Sequence, residues 1–89
     1  MLFVVIGSST GKTREEIMKI YPRHKAFTDK LAAQGVVVGI GPFTDEEGGN
    51  MGIFRTREAA ETFAKLDPFL LEGVAKDYRI KEWADSILS

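Results

Sequence analysis

Eighty-nine residues leave room for one domain around one core. With 44% apolar and 28% charged residues the balance is that of a folding chain, and a net charge of −1 with dispersed Lys and Arg gives no field for nucleic acid. The absence of cysteine excludes disulfides, thiolate metal sites and thiol nucleophiles, and so short a domain without staples gains its extra burial from a partner subunit.

Leu2, Phe3, Val4, Val5 and Ile6 form a continuous apolar run ended by Gly7, which predicts a central strand buried on both faces. The run is too short for a signal peptide or membrane span, so a cytoplasmic protein that meets no membrane is expected. Ser8 to Lys12 reads as a loop, and Thr13 with Glu16 has capping-box spacing for a helix from Arg14. Ile17, Ile20, His24, Phe27 and Leu31 recur every three or four residues as one core-facing stripe. Pro22 interrupts it, which predicts a short helix to Ile20, a kink, and a second helix with Pro22 in its first turn, ended by Gly35.

Val36 to Ile40 predicts a second strand closed by Gly41-Pro42, Thr44 to Asn50 an exposed loop, and Met51 to Phe54 a short third strand. Thr56 caps a helix to about Leu66 with Ala60, Phe63 and Ala64 inward; Asp67-Pro68 stops or bends it before the apolar Phe69 to Leu71 and Gly73. Tyr78, Ile80 and Trp83 mark a last strand, with Lys81 and Glu82 suiting an edge. The order β-α-β-β-α-β predicts an α+β, ferredoxin-like fold with four antiparallel strands and both helices on one face. Strands one and two are apolar at successive positions, so the second face also seeks cover, and a sheet-to-sheet homodimer or higher homo-oligomer is expected. A few hundred buried Å² at about 25 cal/mol/Å² is several kcal/mol, comparable to the stability of such a domain.

Gly7-Ser8-Ser9-Thr10-Gly11-Lys12-Thr13 sits between strand and helix like a phosphate loop, but its glycines are separated by three residues where that loop needs four. It reads as a Gly-rich turn and helix cap. Asp45, Glu46 and Glu47 lack the alternation of a calcium loop, so no metal and no cofactor are expected. No nucleophilic triad is legible, because the chain holds one histidine and Ser8 and Ser9 carry no elbow motif.

That histidine, His24, is the one side chain whose unperturbed titration lies near neutrality, and it falls inside the apolar stripe. It reads either as a core histidine with a satisfied hydrogen bond or as a general acid/base. Asp67, on the inward side of the second helix, is the natural carboxylate to fix its tautomer; alternatively Asp67 only caps the turn before Pro68. Arg23 leans over a pocket rim toward an anionic substrate or faces solvent. Phe43, Phe69, Tyr78 and Trp83 supply apolar walls that serve a pocket or plain packing equally well.

The ordered set Arg23-His24, Ala33-Gln34-Gly35, Gly41-Pro42-Phe43, the Gly-rich loop before strand three, Asp67-Pro68-Phe69 with Gly73-Val74, and Trp83 resembles the YCII-related family over nearly the whole chain. The resemblance implies dimers of ferredoxin-like subunits within the dimeric α+β barrel superfamily and a histidine–aspartate site falling on His24 and Asp67. One relative removes chloride from a hydroxyquinone, and the wider superfamily includes muconolactone isomerase alongside heme-degrading and quinone-forming monooxygenases. The compact loop between strands two and three departs from some relatives and weakens any carry-over of their substrates.

These readings converge on a cofactor-independent isomerase or lyase, dehydrochlorinase-like, that uses His24 and Asp67 for proton transfer on a small aromatic, lactone or enolisable substrate. Ser8, Phe43, Phe69 and Arg23 are the candidate substrate contacts. The alternatives are a non-catalytic dimeric module that binds a small ligand and a purely structural assembly subunit.

Overall fold

The computed structural model describes residues 1–88. In chain order it contains β1 (Leu2–Ser9), α1 (Arg14–Ala33), β2 (Val37–Pro42), β3 (Asn50–Phe54), α2 (Arg57–Leu66), α3 (Pro68–Leu71) and β4 (Ala75–Trp83). Among the described residues the strands form one antiparallel sheet in the order β2-β3-β1-β4. This is the ferredoxin-like arrangement, with the most apolar strand, β1, in the interior and the polar β4 at an edge.

Strand alternation sorts the sheet into two faces. Val5 and Phe54 point to the helices and pack with Leu31 of α1 and Ala59, Ala60 and Phe63 of α2; Phe54 and Phe63 have no exposed surface. The opposite face carries Val4, Met51, Ile53 and Trp83, which line a shallow apolar depression of about 360 Å³. Trp83 therefore lies on the far side of the sheet from His24 and is no wall of its pocket.

The caps read from the sequence are present. Thr13 and Glu16 exchange the two capping-box hydrogen bonds at the start of α1, and Thr56 accepts from the Ala59 N–H at the start of α2. Gly35, at φ +76°, follows the last turn of α1 and its N–H reaches the Ala32 carbonyl at 3.0 Å.

The expected split into two helices does not occur: α1 is one continuous helix with Pro22 in its interior. Proline removes the N–H that would bond the Met18 carbonyl, yet Met18 is half exposed and Pro22 is exposed too, so the missing bond falls on the solvent side. Helices covering a core already lengthen their hydrogen bonds on that side, where a freed carbonyl is least costly because water can reach it.

The remaining differences are at strand ends. β1 continues past Gly7 to Ser9 because Ser8 and Ser9 pair with Lys76 and Ala75, and β2 keeps Gly41 and Pro42, which face Met51 and Asn50. Proline is tolerated there because β2 is an edge strand. Asn50, expected in the loop, is the first residue of β3 and points inward beside Gly7. None of the described helices is long and apolar enough to cross a membrane.

Candidate active site

His24 and Asp67 meet where α1 passes the junction of α2 and α3. The Asp-Pro step builds that junction: a residue before proline is pushed out of the helical region, and Asp67 adopts φ −58°, ψ 123°, ending α2 while Pro68 opens α3. The break turns the Asp67 side chain inward, where it has no exposed surface. Its Oδ1 caps α3 by accepting the Phe69 N–H at 3.2 Å and also lies 2.6 Å from His24 Nδ1. The two readings of Asp67, turn cap and histidine partner, are thus both realised by one oxygen.

A carboxylate only accepts, so the Nδ1 edge of His24 carries the proton and donates it to Asp67. Phe69 stacks on the imidazole with ring centres 3.8 Å apart and planes 4° from parallel, shielding one face from water. His24 is 8% exposed. The imidazole lines a cleft of about 420 Å³ together with Tyr21, Ile40, Pro42, Asn50 and Phe69.

Two polar residues that sequence reasoning left out complete the site. Tyr78 donates its phenolic hydrogen to Asp67 Oδ2 at 2.5 Å, and Asn50 Nδ2 donates to the phenol oxygen at 2.8 Å. Tyr78 reads from the sequence as a wall and Asn50 as loop; a polar atom on an inward strand position, which must find a partner, is the signal that marks them. Burial, followed by the hydrogen bond to Asp67, pushes the Tyr78 phenol well above its ordinary range. The folded protein therefore keeps a proton that the unfolded chain releases near pH 10, and stability falls as pH rises beyond that point. Urea unfolding between about pH 8 and pH 11 is expected to show this fall in the wild type and a shallower one in Tyr78→Phe.

The other candidates divide. Ser8 and Phe43 line a smaller neighbouring cavity of about 200 Å³ that shares Ile17, Pro42, Asn50 and Phe69 with the His24 cleft. Arg23 lines neither cavity: its guanidinium is exposed and pairs with Glu72 at 3.1 Å, the solvent-facing alternative of its two readings.

The four-stranded antiparallel sheet with its helices makes this an α+β, ferredoxin-like protein, with a buried histidine–carboxylate pair beside a small cleft. The chain belongs to the YCII-related domain family, whose family model matches residues 1–84. Among solved structures it is similar in fold to 5-chloro-2-hydroxyhydroquinone dehydrochlorinase (TftG) from Burkholderia phenoliruptrix AC1100 in complex with 2,5-dihydroxybenzoquinone. The TM-score is 0.75 at 21% identity, covering 97% of this chain and 96% of that one. Comparison with curated protein sequences returns no match.

Proposed function

We propose that the chain is a small-molecule enzyme in which His24 moves a proton and Asp67 holds and stabilises the imidazole. The observation that carries this reading is geometric: Nδ1 is tied to a buried carboxylate and the imidazole lines a cleft of about 420 Å³, room for a single-ring substrate, toward which we assign Nε2. Nε2 takes a proton from a substrate hydroxyl or an activated C–H, and Asp67 offsets the positive charge that develops. The proton then returns to another substrate atom, which is an isomerisation, or an anionic leaving group departs, which is an elimination.

The largely apolar lining of the two neighbouring cavities suits a small aromatic, lactone or enolisable ring, with Phe69, Phe43 and Ser8 as its contacts. The fold-level likeness to a dehydrochlorinase that binds a dihydroxybenzoquinone supports an elimination on a hydroxylated ring. Every step uses the chain's own side chains. A panel of chlorinated hydroxyquinones and unsaturated lactones, followed by chloride release and ring absorbance, tests it. Turnover lost in His24→Gln carries the reading; binding without conversion of any compound replaces it with the ligand-binding module.

The proposal includes assembly: the chain acts as one domain and pairs through the outer sheet face. Val4, Met51 and Ile53 with the 39%-exposed Trp83 support this, because they form an apolar depression on the side that no helix covers. Sedimentation at micromolar concentration is expected to return at least two chains, and Ile53→Glu to return one. A monomeric wild type ends this part of the proposal.

A further inference from the structure

We propose that Tyr78 is a positioning residue for the His24–Asp67 pair, acting through a one-way chain of hydrogen bonds that starts at Asn50 and selects the imidazole tautomer with a free Nε2. The proposal rests on the reading of His24 as the proton-transfer group and names what sets that group's state.

The direction of the chain follows from counting hydrogens. The Tyr78 phenol has one hydrogen, which goes to Asp67 Oδ2, so its oxygen can only accept from its other neighbour, Asn50 Nδ2. Asp67 Oδ1 then receives the hydrogen on His24 Nδ1. Turning the Asn50 amide over would set two acceptors against each other or take the phenol from Asp67. The amide is therefore held one way round, and its Oδ1 is buried with no hydrogen-bond partner among the described residues.

The backbone is shaped to deliver this phenol. Opposite Gly7 the β1–β4 register slips between Ile6 and Ser8, inserting one extra residue into β4. Asp77, beside Tyr78, takes φ +55°, a conformation that costs a side chain strain. Across the ladder, a Cβ on Gly7 would fall 2.1 Å from Tyr78 Cε1 and 2.5 Å from Asn50 Oδ1, so only glycine admits the ring and the amide together. A bulge, a strained aspartate, a required glycine and an orphaned amide oxygen are several local costs around one hydroxyl. A phenylalanine would stack on Phe63, as the Tyr78 ring does, without the buried polar atoms.

With both carboxylate oxygens engaged, Asp67 cannot rotate away from His24. Without the phenol, Oδ2 is unanchored, the carboxylate turns, and the imidazole populates the Nε2–H form, which offers no lone pair to the cleft.

Because the chain has one histidine, nitrogen-15 labelling of histidine and long-range proton–nitrogen NMR in mildly alkaline solution read the tautomer without overlap. The wild type is expected to show the Nδ1–H form alone. Tyr78→Phe is expected to show a clear Nε2–H fraction, with kcat lowered about 10- to 100-fold and KM within about twofold. Asn50→Ala, which leaves the phenol in place but frees its orientation, is expected to shift the same signals less and carries the test if Tyr78→Phe does not fold. A folded variant that keeps the Nδ1–H form alone overturns the positioning role. The NMR arm needs no substrate: if the tautomer changes while His24→Gln leaves turnover intact, the relay stands and the catalytic reading of His24 falls.

Discussion

Turnover is expected to fall about 10²- to 10⁴-fold in His24→Gln and about 10- to 1,000-fold in Asp67→Asn, with both variants folded. Glutamine fills much of the imidazole's space beneath Phe69 but cannot take up a proton, so its effect measures general acid/base transfer alone. Asparagine keeps the shape of Asp67 and loses both the charge and one acceptor. Three donors converge on this carboxylate, from His24, Tyr78 and the Phe69 backbone, whereas an asparagine side chain presents one acceptor oxygen and an NH₂ group. Wherever the NH₂ points, it faces a group that was donating. Aimed at His24, it turns Nδ1 into an acceptor and moves the imidazole proton to the cleft edge, where no base remains. Wild-type turnover should also rise with pH through a single ionisation that is absent from His24→Gln. Near wild-type rates with an unchanged pH profile in both variants would make the pair a structural feature.

Most of what places this pair is legible in local sequence. The three-and-four spacing from Ile17 to Leu31 puts His24 on the core side of its helix, and Asp67-Pro68 announces a helix break next to the same core. Both are local signals, set by helix periodicity and by the restriction proline imposes on its neighbour. The rest depends on distant partners. Whether Pro22 ends its helix depends in part on whether the carbonyl it orphans faces water, and here the surface is solvent-exposed. The role of Tyr78 depends on a one-residue slip between β1 and β4, which requires knowing that Gly7 lies opposite it. Asn50 reads as loop because it follows Gly48-Gly49, although pairing with Gly7 makes it the inward first residue of β3. Trp83 reads by composition as a pocket wall, while its pairing with Leu2 puts it on the outer face.

Truncating Phe63 to Ala is expected to cost about 3–5 kcal/mol, a large share of the roughly 5–15 kcal/mol that holds a domain together and enough to leave a chain this small partly unfolded at 37 °C. Phe63 has no exposed surface, and its ring packs against three others: Phe54 at 5.2 Å, Phe27 at 6.5 Å and Tyr78 at 5.3 Å between centres. The cavity would open between α1, α2 and the sheet, where neighbours on three different elements cannot collapse into it together. Phe63→Leu is the milder probe, expected to cost about 1–1.5 kcal/mol while the fold persists. It withdraws the surface on which the Tyr78 ring is stacked, so its stability effect should couple to that of Tyr78→Phe by at least about 0.5 kcal/mol in a double-mutant cycle. Urea denaturation of the two single variants and the double variant measures both quantities. Additive losses would show that the core and the Asp67–Tyr78 bond are independent, and a loss below about 1 kcal/mol in Phe63→Ala would contradict the central position assigned to this ring.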